Sequence, residues 1–298
     1  MAAKSNKQKK AFLKLEGLPV DMCVFTVATE QRSATTTSVD RRSLRSYPNR
    51  YLALVLVQRL QKPEKGKWSL PGGFTKLRTE TLDEAARREL KEETNLDATT
   101  TTESGPEGSL SRTIHLEQMK TYYTFERDER GPTPTVAYVA LVEEALLANL
   151  HAGGDARDAQ LFRIRRTQDE DFVCESQDGS VALTRTDLAF DHGEIISDAL
   201  RFVESKVMTT TVAKTLLPEE FTITQLHQVI SVIVPSYAPT TTNFARDLVK
   251  TKSRDGLLEE VLDENGTPKT SSDYSARPAK LYRFQPEFEP RLSIYPRF

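Results

Sequence analysis

Cysteine is nearly missing from this chain. Cys23 and Cys174, two among 298 residues, are too few for a disulfide framework or a cysteine-rich metal site, and both read as plain thiols. Histidine is scarce too. His115, His151, His192 and His227 are scattered and form no zinc motif. No apolar run approaches the roughly 18 residues of a membrane-spanning helix, so no membrane partner is expected. The opening residues, MAAKSNKQKKAF, are basic and lack the apolar stretch of a signal peptide. They read as a flexible leader over residues 1–17, and the cytoplasm is the expected compartment. An excess of one charge sign is also lacking. A net charge of −2 selects no class of partner by itself.

What is present is ordinary for a globular protein: 38% hydrophobic and 28% charged residues. A length of 298 residues allows about two domains. The most informative stretch runs from Trp68 to Leu96, WSLPGGFTKLRTETLDEAARRELKEETNL. It starts strand-like, turns on Pro71-Gly72-Gly73 and enters a helix rich in carboxylates. At roughly 100° per residue, Leu82, Ala85, Ala86 and Leu96 form an apolar stripe. Glu89 and Glu93 fall inside that stripe and Glu92 at its border, while Glu84, Arg87 and Lys91 fall opposite. The common reading of a Glu-rich helix is a solvated face. Here the acids are on the wrong side for it. Carboxylates crowded at a covered face repel one another and are costly to desolvate. A hard divalent cation, Mg²⁺ or Mn²⁺, relieves both problems. Arg88 is placed to pair with one carboxylate and aim it.

These residues resemble a Nudix box, G-x5-E-x7-R-E-U-x-E-E-x-G-U, where U is aliphatic. Glu80, Arg88-Glu89-Leu90, Glu92-Glu93 and Leu96 match in register. Two positions depart: Gly73 to Glu80 is one residue longer, and Asn95 replaces the last Gly. Asn tolerates the left-handed conformation a helix end wants. The resemblance implies metal binding by Glu89, Glu92 and Glu93, with Arg88 in the same catalytic constellation.

Along the chain, Val20–Thr29 and Tyr51–Arg59 read as strands, the second buried on both faces. Residues 30–50 and 97–112 read as loops. His115–Phe125 and Thr135–Val142 read as strands around a charged turn, Arg127–Gly131. Asp169–Asp178 is acidic and expected to be exposed. Leu188–Val203 is expected to be an amphipathic helix, with Leu188, Ile195, Ala199 and Phe202 on one side. His192 beside Asp191 suggests acid–base chemistry or, as the commoner case, a structural hydrogen bond at a helix start, and Trp68 either stacks on a base or packs in the core. A boundary near Lys206 divides the chain into domains at 18–205 and 206–298.

The second domain reads as a winged helix-turn-helix. Thr222 and Gln225 form a capping-box signal. Leu226, Val229, Ile230 and Ile233 keep helical spacing. A second helix starts near Thr240 or Thr241, with Phe244 and Leu248 inward and Asn243, Arg246, Asp247 and Lys250 on the other face. Strand-like runs at Leu257–Leu262 and Ala279–Phe284 form the wing. The domain holds twelve Lys and Arg against eleven Asp and Glu, a weak electrostatic footprint for DNA. The cations are clustered, however: Arg246, Lys250, Lys252 and Arg254 by the second helix, and Arg277, Lys280 and Arg283 in the wing. Contact with another protein is the competing use of such a domain.

As a whole the chain is similar to the Nudix-related transcriptional regulators of NAD metabolism. EQMKTYYTFERDERG, LAFDHGEIISDAL, LLPEEFTITQLHQV, TTNFARDL and RPAKLYRF carry the resemblance. It implies an α/β fold, a Nudix mixed-sheet α/β/α sandwich followed by a winged helix-turn-helix. It also implies a homodimer on a palindromic DNA operator, a repressor that senses ADP-ribose or a related nucleotide. Gly73, Arg127 and Arg130 then belong to the ligand site. Asn243, Arg246, Lys250, Arg277 and Lys280 belong to the DNA contacts. Ala245 and Asp247 depart from the basic character of that family's recognition helix. The alternative is an enzyme, a Mg²⁺-dependent ADP-ribose pyrophosphatase.

Overall fold

A computed structural model describes residues 17–30, 47–96, 114–150, 156–169, 171–237, 239–250, 256–272 and 278–285. Most of the leader, most of the loop at 30–50, all of the loop at 97–112, and Lys252, Arg254 and Arg277 lie outside the described residues.

One mixed sheet organises the N-terminal part. Its strands are β1 (Pro19–Thr29), β2 (Arg50–Arg59), β3 (Trp68–Ser69), β4 (Gly72–Phe74), β5 (His115–Tyr122), β6 (Thr135–Leu141), β7 (Ala156–Arg166), β8 (Phe172–Ser176) and β9 (Ala182–Thr184). The order is β5-β6-β1-β2-β7-β8-β9, with β3 added to β2 and β4 to β1. β1 and β6 run parallel and the other pairs run antiparallel.

β1 shows why this sheet is covered on both faces. Successive side chains alternate across a strand. Val20, Met22 and Val24 join Ala85, Ala86 and Leu90 of α1 (Leu82–Thr94) in one core. Cys23, Phe25 and Val27 join Ile195, Ala199 and Val203 of α2 (His192–Thr209) in the other. The second core continues without a gap into the C-terminal part. There Leu226, Val229 and Ile233 of α3 (Ile223–Ile233) pack with Phe244 and Leu248 of α4 (Thr241–Lys250). The Thr222–Gln225 capping box forms. β10 (Leu258–Glu260) pairs with β13 (Tyr282–Phe284), and β11 (Thr270–Ser271) with β12 (Ala279–Lys280), which completes the wing. Among the described residues no helix is long and apolar enough to cross a membrane.

Three expectations need correction. The segment after Pro71 is a strand rather than only a turn, because Gly72 and Gly73 pair with Asp21 and Val20. Residues 169–178 are not simply exposed: Phe172 and Cys174 face inward from β8, and the acids occupy the alternate positions and flanks. The helix expected from Leu188 starts at His192 and runs to Thr209. Phe190 has φ 51° and breaks the helical path before it. The buried face is therefore Ile195, Ile196, Ala199, Leu200, Val203 and Val207, with Phe202 only partly covered.

Candidate functional site

A cavity of about 490 Å³ opens between β4, the C-terminal half of α1, the Arg127–Arg130 turn and the start of α2. Its floor is built by the stretch around Gly73. Thr81 caps α1 in a capping box with Glu84, and Asn95 closes the helix in the left-handed region with φ 59°. The extra residue between Gly73 and Glu80 is absorbed in a turn where Arg78 takes φ 66°. Glu80 keeps its reach despite the longer loop. Arg88 Nε donates to Glu80 Oε2 at 3.0 Å, and Arg88 Nη2 donates to Glu80 Oε1 at 2.6 Å. The same guanidinium donates to Glu89 Oε1 at 2.6 Å, to Glu92 Oε2 at 3.2 Å and to the Phe74 carbonyl at 3.0 Å. It binds three carboxylates to the end of β4. Its grip holds the Glu80 carboxyl well down, to about 2.

Glu89 and Glu93 line the cavity side by side and are buried. Glu93 Oε2 accepts from the Gly72 N–H at 2.8 Å. Burial, with Glu89 and Asp21 nearby, pushes the Glu93 carboxyl up to about 8. Burial raises Glu89 as well, against the pull of Arg88. Glu92 lines the rim, with its side chain 51% exposed. A Cβ on Gly73 would sit 2.2 Å from Glu89 Oε1, so this close approach excludes any larger residue without moving the carboxylate.

The opposite wall is cationic and aromatic. Arg127 holds Asp191 with two hydrogen bonds, Nε to Oδ2 at 2.9 Å and Nη2 to Oδ1 at 2.7 Å, and lies 3.5 Å from Asp21. Asp191 stands at the N-cap of α2 but makes no side-chain cap, because its carboxylate is given to Arg127. His192 is buried and its pKa is lowered by desolvation. Its Nδ1 accepts from the Leu70 N–H at 2.8 Å, which leaves the proton on Nε2, 3.5 Å from Asp21 Oδ1. The expected structural hydrogen bond at the helix start is therefore present. Arg130 pairs with Asp128 and lies 5.7 Å over the Phe74 ring. Trp68 packs edge-on against Phe162 in the core, which settles its two readings in favour of packing.

Asp21, Arg59, Phe74, Phe190 and His192 line the cavity but were not singled out as ligand contacts from the sequence. Arg59 had a signal: Val57 faces the cavity, and strand alternation carries Arg59 to the same side. Its guanidinium lies 4.8 Å over the Phe190 ring. Phe190 had none, because its left-handed backbone is invisible in the sequence.

Among the described residues no three His, Cys, Asp or Glu side chains converge on a common point. The protein supplies two buried carboxylates and a third at the rim. This donor chemistry fits a hard cation that takes its remaining ligands from water and a phosphate group.

The predicted DNA contacts lie elsewhere. Asn243 and Arg246 are exposed on α4, opposite the buried Phe244 and Leu248. Lys250 ends α4, and Lys280 lies exposed in β12.

Fold and site together define a Nudix-type domain, with its carboxylate helix and cavity, joined through one core to a winged helix. A NUDIX domain is matched over residues 46–171 and an NrtR DNA-binding winged helix domain over residues 213–284. The chain thus carries a Nudix domain followed by an NrtR-type DNA-binding winged helix domain. It is 29% identical over 252 residues to the ADPR responsive transcriptional repressor NtrR of Acinetobacter baylyi, covering 83% of this chain and 82% of that protein. It is also 29% identical over 149 residues to an ADP-ribose pyrophosphatase of Methanocaldococcus jannaschii, covering 50% and 66% of the two chains. The fold resembles crystal structures of a MutT/nudix family protein from Enterococcus faecalis (TM-score 0.61, 24% identity, 93% of this chain and 90% of that one). It also resembles Shewanella oneidensis NrtR (TM-score 0.56, 24% identity, 91% and 94%).

Proposed function

We propose that this chain is a DNA-binding transcriptional regulator, a repressor of NAD-metabolism genes, whose Nudix cavity senses ADP-ribose or a related nucleotide. One observation carries the reading: α2 runs from the cavity to the core of the winged helix. Its first residue, His192, lines the cavity, while Val207 near its end shares an apolar cleft with Leu226 of α3 and Phe244 of α4. The similarity to the Acinetobacter repressor over most of both chains supports the same reading.

In this reading residues 18–205 sense and residues 206–298 bind DNA. The diphosphate meets Glu89, Glu92 and Glu93 through Mg²⁺ or Mn²⁺; Nudix hydrolases generally use divalent ions. Gly73, Arg127 and Arg130 shape the ligand site. Asn243, Arg246, Lys250, Arg277 and Lys280 face a palindromic operator, read by a homodimer in the cytoplasm. Coupling requires that the nucleotide bind the DNA-competent and DNA-free states differently. Adding ADP-ribose to a complex of the full chain with duplex from its own promoter tests this. A change in DNA affinity is expected. An unchanged affinity at saturating nucleotide refutes the sensor reading.

The enzyme reading is favoured by a separate observation, the two buried carboxylates with raised pKa beside a cavity. The similarity to an ADP-ribose pyrophosphatase supports it. With a cation bound, the cation would supply Lewis-acid polarisation of the diphosphate. The chain's own contribution is positional: Arg88 fixes Glu89 and Glu92, and Gly72 fixes Glu93. AMP release from ADP-ribose with Mg²⁺ should fall in Glu93→Gln. Equal rates in both proteins remove the reading.

A further inference from the structure

Beyond the 3-10 turn at Val212–Leu216, Arg246, Lys269, Lys280 and Arg283 are the Lys and Arg residues whose side chains are described. Each has a carboxylate within ion-pair distance. Lys280 donates to Glu260 at 2.7 Å, Arg283 pairs with Glu259 across the β10–β13 ladder, and Lys269 grips both oxygens of Glu220 at 2.8 and 2.9 Å. On α4, Arg246 lies 3.8 Å from Asp247. The Tyr282 hydroxyl also reaches Glu260, at 3.5 Å. A surface meant to bind DNA by charge alone has no use for this pairing. Sequence-independent affinity rises with every phosphate a free Lys or Arg can neutralise. Here each described wing cation, Lys269, Lys280 and Arg283, must first leave a carboxylate.

We propose that Glu259 and Glu260, with Glu220, are specificity-determining residues that compete with phosphate for the wing's cations. They keep sequence-independent binding weak, so that the choice of duplex falls to the exposed side chains of α4. The proposal rests on the DNA-binding reading above. Glu260 is exposed and Glu259 and Glu220 are half-buried, but the cations they hold are about half exposed, so these solvent-screened pairs are weak enough to be exchanged for phosphate when the wing is seated. The same residues on a protein-binding wing would have no effect on DNA.

The test uses the full chain, a random-sequence duplex longer than two helical turns, and fluorescence anisotropy across a salt series. Wild type is compared with Glu259→Gln/Glu260→Gln, with Glu175→Gln on the distant β8, which frees Arg165 away from the wing, as a control for a released cation, and with Arg246→Ala. The double variant frees Arg283 and Lys280. It is expected to bind the random duplex about tenfold tighter at low salt, with a log–log salt slope steeper by about 2. Glu175→Gln should leave the slope unchanged. A double variant with the affinity and slope of wild type overturns the proposal, and so does an equal gain in Glu175→Gln. Weaker binding by Arg246→Ala in the same series keeps the DNA reading standing when the wing proposal fails. If neither wild type nor any variant binds duplex, both fall together. Thermal unfolding of each variant confirms that the wing has not melted.

Discussion

In the Nudix domain Arg127 has a side chain 4% exposed, holds Asp191 with two hydrogen bonds and leans on Asp21. In the winged helix Lys269 grips Glu220 with a side chain 48% exposed. Both are bidentate cation–carboxylate contacts, yet they play opposite parts. A buried charge is held by its partners because water cannot replace them. An exposed charge is shared with water at little cost. The cavity therefore keeps a fixed geometry into which a ligand must fit. The wing keeps charges that can be handed over. A sensor that reads one nucleotide and then adjusts its hold on DNA needs that division.

The comparison breaks first at Arg127. Replacing it by Met leaves Asp191 and Asp21 without their partner in a covered site. A loss of about 3–5 kcal/mol in unfolding free energy is expected, from chemical denaturation of the full chain. A loss below about 1 kcal/mol would mean that water enters the pair freely, as it does in the wing.

Glu93 gives the next largest effect, and its sign follows from its surroundings. Burial raises the carboxyl from 4.5 to about 8 in the folded chain. The native state thus holds a proton that the unfolded chain releases across that window. Stability is greatest below about pH 4.5 on this account and declines as pH rises to about 8. In EDTA, Glu93→Gln should be the more stable protein at pH 8, with the difference vanishing toward pH 4.5. Parallel pH curves for the two proteins would show that Glu93 is not desolvated. Adding Mg²⁺ should favour the ionised carboxylate and recover part of the wild-type loss, but leave the Gln variant unmoved.

How much of this was legible in the sequence depends on the range of the forces involved. The Ala85–Ala86 stripe of α1, its left-handed end at Asn95, the Thr222–Gln225 capping box and the Phe244–Leu248 face follow from local spacing, and the structure keeps them, with Leu82 only partly buried and Leu96 just beyond the helix end. The placement of Glu89 and Glu93 on the covered side is also local, because helical periodicity alone decides it. The Arg127–Asp191 clamp is not local. It joins residues 64 apart, and without the fold Arg127 is one charge in a charged turn. Residues 169–178 differ from their acidic composition because charge alone ignores strand alternation: Phe172 and Cys174 carry the strand while Glu175 looks outward. Phe190 and the late start of α2 depend on one left-handed residue, which the surrounding packing imposes.

Gly73 tests how rigid the cavity side of the comparison is. The three atoms nearest the Ala Cβ would all belong to the end of one side chain, the Glu89 carboxylate, the closest at 2.2 Å. The backbone can stay, so Gly73→Ala should cost only about 1 kcal/mol of stability. The displaced carboxylate must leave Arg88, however, and with it the geometry facing the ligand. Calorimetric titration with ADP-ribose and Mg²⁺ should show binding weakened at least about tenfold. Wild-type affinity in the variant would show that Glu89 moves without consequence.

The smallest effect belongs to the wing. Lys269→Met removes both hydrogen bonds to Glu220, but water takes their place on the freed carboxylate. Stability should change by about 0.2–1 kcal/mol, and the change should shrink further as salt is raised. The Arg127→Met loss should hardly respond to the same salt, because its pair is shielded from mobile ions. The contrast in salt response, measured on the two variants side by side, separates fixed charge from exchangeable charge more sharply than either energy alone. Equal salt sensitivity in both would erase the distinction between cavity and wing.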